Sequence, residues 1–130
     1  MEELIRDDKC AYIRTGRNPV EDVYTEDDCP FEMNKSTRIG DGEDVVIVGG
    51  EMVRKAVDAL EILKSKGIEA HLLDMYCVKP IDKDAIIRSA KKAKLIVTVG
   101  ILFAQFFSSS LYMKSDIKQV RKCAFILSSR

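Results

Sequence analysis

The sequence has no excess of either charge, no closely spaced cysteines, a single histidine and no apolar run long enough to cross a membrane. Its 21 basic residues balance 21 acidic ones, so bulk electrostatics gives no reason to expect nucleic acid or an anionic membrane as partner, and any anion recognition must be local. Cys10, Cys29, Cys77 and Cys123 stand far apart, with no CxxC pair and no companion histidines. That spacing disfavours a zinc site or thioredoxin-like chemistry and fits reduced thiols. The most apolar late stretch, Val97 to Phe107, is about half of the roughly 20 residues that a membrane-crossing helix needs. The opening Met-Glu-Glu-Leu-Ile-Arg-Asp-Asp is acidic where a secretory leader is basic and then apolar, so a cytoplasmic protein is expected. Neither a repeat of about 20 to 50 residues nor a sustained heptad is present, which argues against a solenoid or a coiled coil.

What is there fits one folded domain: 130 residues, 46% hydrophobic and 32% charged, close to the soluble globular average. Glu2 to Lys9 is expected to close a short helix, and Cys10 to Arg14 a strand stopped by Gly16 and Pro19. Asn18 to Pro30 is polar, acidic and bounded by proline, the composition of a connection between domains. Phe31 to Ile39 is expected as an extended arm, reversing at Gly40-Asp41-Gly42 into Val45–Val48 as a β-hairpin. Met52, Val53, Ala56, Val57, Leu60 and Leu63 recur at helical spacing until Gly67. Ile68 to Val78 forms a second apolar strand, Pro80 and Asp82 lead into a helix with Ile86, Ile87 and Ala90 inward, and Leu95–Val99 is a third strand. Strands alternating with helices imply an α/β fold with a mostly parallel sheet and an antiparallel first strand.

Arg14 and Arg17, beside the turn at Gly16, are the strongest chemical candidates, because paired guanidinium groups grip a phosphate through several charge-assisted hydrogen bonds. Two solvated surface arginines are the plainer account. Gly49-Gly50 before a helix resembles a nucleotide-binding turn but lacks the full GxGxxG, so strand–helix packing explains it more simply. His71 falls inside an apolar strand with no serine or cysteine nucleophile evident beside it, which argues for a structural role. Asp82 is expected to cap the following helix. A metal role for Asp74 and Asp82 finds no further acidic cluster nearby. Ser108–Ser110 lacks a GxSxG elbow, and Lys91, Lys92 and Lys94 sit at a helix end where cations favour the macrodipole.

Four runs in order, YIRTGRNPV with VYTEDD, FEMNKSTRIGDGEDVVIVGG, GIEAHLLDMYCVKPIDKDAI and KLIVTV, resemble the carboxy-terminal part of the transketolase family of thiamine diphosphate enzymes. The resemblance covers about Cys10 to Val99. It implies a three-layer α/β/α carboxy-terminal domain over residues 31–99, preceded over 1–30 by a remnant of the pyrimidine-binding domain and a linker. It places Arg14 and Arg17 near the phosphate end of a sugar substrate. In the family, thiamine diphosphate and a divalent cation such as magnesium sit between an amino-terminal diphosphate-binding domain and the pyrimidine-binding domain of a second subunit, and of these two this sequence resembles only the end of the latter. The resemblance therefore implies no catalytic, cofactor-binding or metal-binding residue here, and a chain inactive alone in two-carbon ketol transfer between sugar phosphates.

On the same resemblance, the domain supports dimerisation and the substrate entrance. The implied partners are a subunit carrying the thiamine diphosphate-binding domains or further copies of the chain. Family members continue beyond the KLIVTV strand with Glu-Glu-His and Gly-Gly-Leu-Gly, whereas this chain reads Gly-Ile-Leu-Phe-Ala-Gln-Phe-Phe. Residues 100–130 are accordingly set apart as a divergent tail with only patchy helical spacing. The rival reading is a stand-alone α/β protein-interaction module without sugar-phosphate activity.

Overall fold

A computed structural model describes residues 2–7, 9–13, 15, 19–25, 27–28, 31–50, 52–100 and 123–127. Helices α1 (Glu2–Arg6), α2 (Val53–Ser65) and α3 (Lys83–Lys92) accompany strands β1 (Thr37–Ile39), β2 (Val45–Gly49), β3 (Ala70–Asp74), β4 (Leu95–Gly100) and β5 (Cys123–Leu127). The sheet runs β1-β3-β2-β4-β5. Among the described strands, only β1 is antiparallel to its neighbour, β3, and the remaining pairs are parallel.

This order dictates the layers. A right-handed crossover from β2 to β3 runs one way along the sheet, and the crossover from β3 to β4 runs back past β2, so the two helices fall on opposite faces. On one face, Ile47 and Leu72 pack against Val53 and Ala56 of α2, with Val57, Leu60 and Leu63 closing the contact. On the other, Val46, Val48, Leu73, Met75 and Ile96 meet Ala85, Ile86 and Ala90 of α3. The helical spacing read from the sequence thus marks the buried faces except at Ile87, which is half-buried while Ala85 and Ser89 take the inner face of α3, and the α/β/α architecture with an antiparallel first strand is present.

Local chemistry sets the helix ends. At the end of α2, Gly67 takes a left-handed φ of 73°, and Ile68 N donates to Leu63 O while Gly67 N donates to Lys64 O, both at 3.0 Å. Two such bonds satisfy carbonyls that the last turn would otherwise leave open. α3 starts at Asp82, whose side chain accepts from Ala85 N at 3.0 Å.

Three expectations need correction. β1 does not form a hairpin with β2: it pairs with β3, Thr37 opposite Asp74 and Ile39 opposite Leu72. The turn through Gly40 and Gly42 instead passes across the start of β3, and a Cβ on Gly42 would collide with the backbone of Glu69 and Ala70. Arg38 holds this crossing by donating to Gly40 O at 3.0 Å and to Gly42 O at 3.5 Å. Cys10 to Ile13 form no strand, for an extended segment needs a paired neighbour to become one. Finally, Cys123–Leu127, within the segment set apart as a tail, is a fifth strand parallel to β4. Ser108–Ser110 and the run from Ile101 to Phe107 lie outside the described residues.

Candidate functional site

The loops after β2 and β3 leave for opposite faces, and in open α/β sheets the crevice at the carboxyl ends of such strands is where ligands commonly bind. Here the backbone closes much of it. Met75 N donates to Gly49 O at 2.6 Å, and a Cβ on Gly50 would stand 3.1 Å from Met75 O. The glycine pair therefore serves close strand approach. The amino end of α2 has no side-chain cap.

Asp74 ends β3 on the α2 face and is 6% exposed. Its Oδ2 accepts from the Tyr24 hydroxyl at 2.9 Å. Burial pushes the Asp74 carboxyl above its ordinary range, and the Tyr24 hydrogen bond offsets only part of that. Burial first, then Asp74, push the Tyr24 hydroxyl far above its usual value, so it stays protonated and donates. Eight residues along, the 7% exposed Asp82 accepts from Ser36 N at 3.0 Å and Ser36 Oγ at 3.1 Å, in addition to its helix cap. Burial alone would raise the Asp82 carboxyl, but the bonds from Ala85 and Ser36 outweigh it and hold the group below its ordinary value.

Between the linker, β1 and α2 lies a groove of about 310 Å³, with Val23, Ile39 and Val57 as its apolar lining and Arg38 and Arg54 among its charged residues. Both arginines are engaged: Arg54 pairs with Asp58 at 2.8 Å and approaches Glu21 at 3.6 Å, while Arg38 bonds the loop carbonyls. Arg14 and Arg17 lie outside the described residues, so the geometry here is that of the acids that hold the linker.

His71 is 1% exposed. Its Nδ1 meets Gly42 O, and its Nε2 lies 2.9 Å from Ser89 Oγ on α3. A carbonyl only accepts, so Nδ1 carries the proton and Nε2 of the neutral ring accepts from the serine. The expectation that no serine stands beside this histidine is thereby corrected. Ser89 is 7% exposed, so the pair is walled off from substrate and links β3, the crossing loop and α3. Burial holds the His71 pKa below its ordinary value, opposed in part by the bond to Gly42.

Lys92 meets Glu43 at 2.7 Å and Lys94 meets Asp44 at 2.6 Å, which assigns two of the three clustered lysines to the same loop. No group of three or more potential metal ligands occurs among the described residues, nor does any helix among them have the length and apolarity to cross a membrane. Cys10 and Cys77 are free thiols.

Residues 34–100 match the family model described as the transketolase C-terminal domain. The chain belongs to that family. Relatives of this transketolase C-terminal domain include one subunit of the apulose-4-phosphate transketolase of Phocaeicola vulgatus, 43% identical over 90 residues that cover 68% of this chain and 29% of the relative. A putative transketolase C-terminal section of Methanocaldococcus jannaschii is 42% identical over 92 residues, 68% of this chain and 28% of the relative. Among solved structures, a split gene transketolase described as an inactive β4 tetramer superposes with a TM-score of 0.60 at 36% identity, covering 65% of this chain and 28% of that one. The chain thus spans less than a third of the length of these relatives.

The sequence missed Tyr24 and Ser36 as partners of the two acids. Their signal was present only as VYTEDD and NKST within the family-like runs, because each contact closes a separation of 50 or 46 residues.

Proposed function

We propose that this chain is the carboxy-terminal portion of a transketolase-like enzyme, whose parent activity moves a two-carbon ketol unit between sugar phosphates with thiamine diphosphate and magnesium. The chain alone does not catalyse this transfer. It supports dimerisation and the substrate entrance, and it acts with a partner that carries the thiamine diphosphate-binding domains. The observation that carries this reading is the alignment, at 43% identity, with a protein that is itself one subunit of a transketolase. The tetramer in the name of a solved relative supports self-association as well.

Arg14 and Arg17 are the proposed contacts to the substrate phosphate. Each charge-assisted hydrogen bond to a phosphate is worth about 1.5 to 3 kcal/mol, or about tenfold or more in affinity. Calorimetric titration of the purified chain with ribose 5-phosphate is expected to give weak saturable binding, reduced about tenfold in Arg17→Ala. No saturable binding by the unaltered chain overturns the assignment and favours the stand-alone interaction module.

A further inference from the structure

The two acids at the ends of the β3–α3 connection share a feature that their separate roles do not explain: each takes a side-chain donor from the stretch ahead of β1, Tyr24 from the linker and Ser36 from the arm that follows it. Asp74 faces α2 and holds Tyr24 at 2.9 Å. Asp82 caps α3 and holds Ser36 through two donors at 3.0 and 3.1 Å. Around the first contact, Val23 packs on the α2-side core and Glu21 approaches Arg54 at 3.6 Å. Around the second, the Phe31 ring lies 4.6 Å from that of Tyr76, and Glu32 N donates to the Tyr76 hydroxyl at 3.3 Å.

A connection of polar composition would ordinarily be loosely held, since ordering each residue costs conformational entropy. Here the linker is fastened at Tyr24, and the arm that continues it at Ser36, by carboxylates that are themselves more than nine-tenths buried. The helix cap does not require Ser36, because Ala85 N already satisfies Asp82 Oδ1. Nor does β3 need a carboxylate at its end to pair with β2. A buried acid without a donor is costly, so each carboxylate favours the docked linker over the free one.

We propose that Asp74 and Asp82 are positioning residues forming a two-point strap, which fastens the linker at Tyr24 and the arm that continues it into β1 at Ser36, and so sets the direction in which the preceding segment leaves the domain. This rests on the proposed function only in what that segment is for. The strap itself is independent of any ligand.

Digestion with chymotrypsin tests it. Tyr12, 88% exposed, is an internal reference, and Tyr24→Phe removes only the hydroxyl while keeping a cleavable ring at position 24. In the unaltered chain, cleavage after Tyr24 should be slow relative to cleavage after Tyr12. In Tyr24→Phe the ratio should rise about tenfold, as expected for losing a buried hydrogen bond. Asp74→Asn keeps an acceptor and should retain slow cleavage after Tyr24, whereas Asp74→Ala should not.

Amide exchange in β2 and α3 should be unchanged in Tyr24→Phe, which separates release of the linker from loss of the fold. An unchanged cleavage ratio in Tyr24→Phe, or faster exchange throughout the core, overturns the strap. Because the digest contains no sugar phosphate, failure of the titration with an intact strap signature counts against the functional reading alone.

Discussion

Among the described residues, the three buried side chains that titrate with a shift, His71, Asp74 and Asp82, respond to acid in different directions. His71 has a folded pKa below the ordinary 6.5 because burial disfavours its charged form, so below that value the unfolded chain binds more protons and stability declines with falling pH. His71 should therefore lower the melting temperature between about pH 7.5 and 5, seen as the difference in slope between the unaltered chain and His71→Gln. Asp82, held below the ordinary 3.8 by its hydrogen bonds in spite of burial, contributes stability above that pH which is lost as pH falls through its folded pKa. Asp74, raised above 3.8 mainly by burial, behaves oppositely: its contribution is present below the unfolded value and lost as pH rises through the folded one.

Asp74→Asn should consequently melt above the unaltered chain at about pH 7, with the difference shrinking as pH is lowered toward about 4. Asp82→Ala removes the helix cap and should cost about 1 to 2 kcal/mol, measurable by urea denaturation.

Among the elements, glycines of different kinds give different costs. Gly42 lies where one backbone crosses another, and the missing Cβ is what allows the crossing. Gly42→Ala should destabilise by about 2 to 3 kcal/mol, the upper range for inserting volume into a packed site. Gly67 has positive φ but open space around it, so Gly67→Ala should cost about 1 kcal/mol, the conformational cost alone. Urea midpoints of the two variants check the ranking.

The same elements show how far the chain could be read in advance. α2, α3, β2, β3 and β4 were legible because their apolar residues repeat at the period of the element they form or run together as buried parallel strands do. The partner of β1 was not, since the reversal at Gly40–Gly42 is compatible with either a hairpin or a crossing, and only contact with Glu69 and Ala70 decides between them. β5 was not legible either, because Cys-Ala-Phe-Ile-Leu is a short apolar run in a stretch without regular spacing around it. At the site, Asp82 could be recognised from Pro80 and the helix that follows. The bonds from Tyr24 and Ser36 could not, because nothing local in the sequence links residues that far apart.

At the scale of the whole molecule, the sheet formed by the described residues has two unlike edges. β1 is three residues long and carries the exposed Arg38 at its centre, and short, charged edges resist pairing with other chains. At the far side, β5 pairs with β4 from Ile96 to Gly100. Ending the chain at residue 122 should uncover the apolar β4 as an edge and drive association. Sedimentation velocity over a roughly tenfold concentration range is expected to show larger, concentration-dependent species for that truncation than for the full chain. Equal profiles would mean that β5 does not protect the edge.

His71 also bears on the time course of folding. Its two partners lie 29 and 18 residues away in sequence, so its ring can be satisfied only after the crossing loop and α3 have both reached β3. A contact that needs three elements in place is expected to form on the native side of the folding barrier. Ser89→Ala should then accelerate unfolding while leaving the refolding rate nearly unchanged. In stopped-flow measurements the unfolding limb alone would move, making this buried pair a brake on opening rather than a seed of folding.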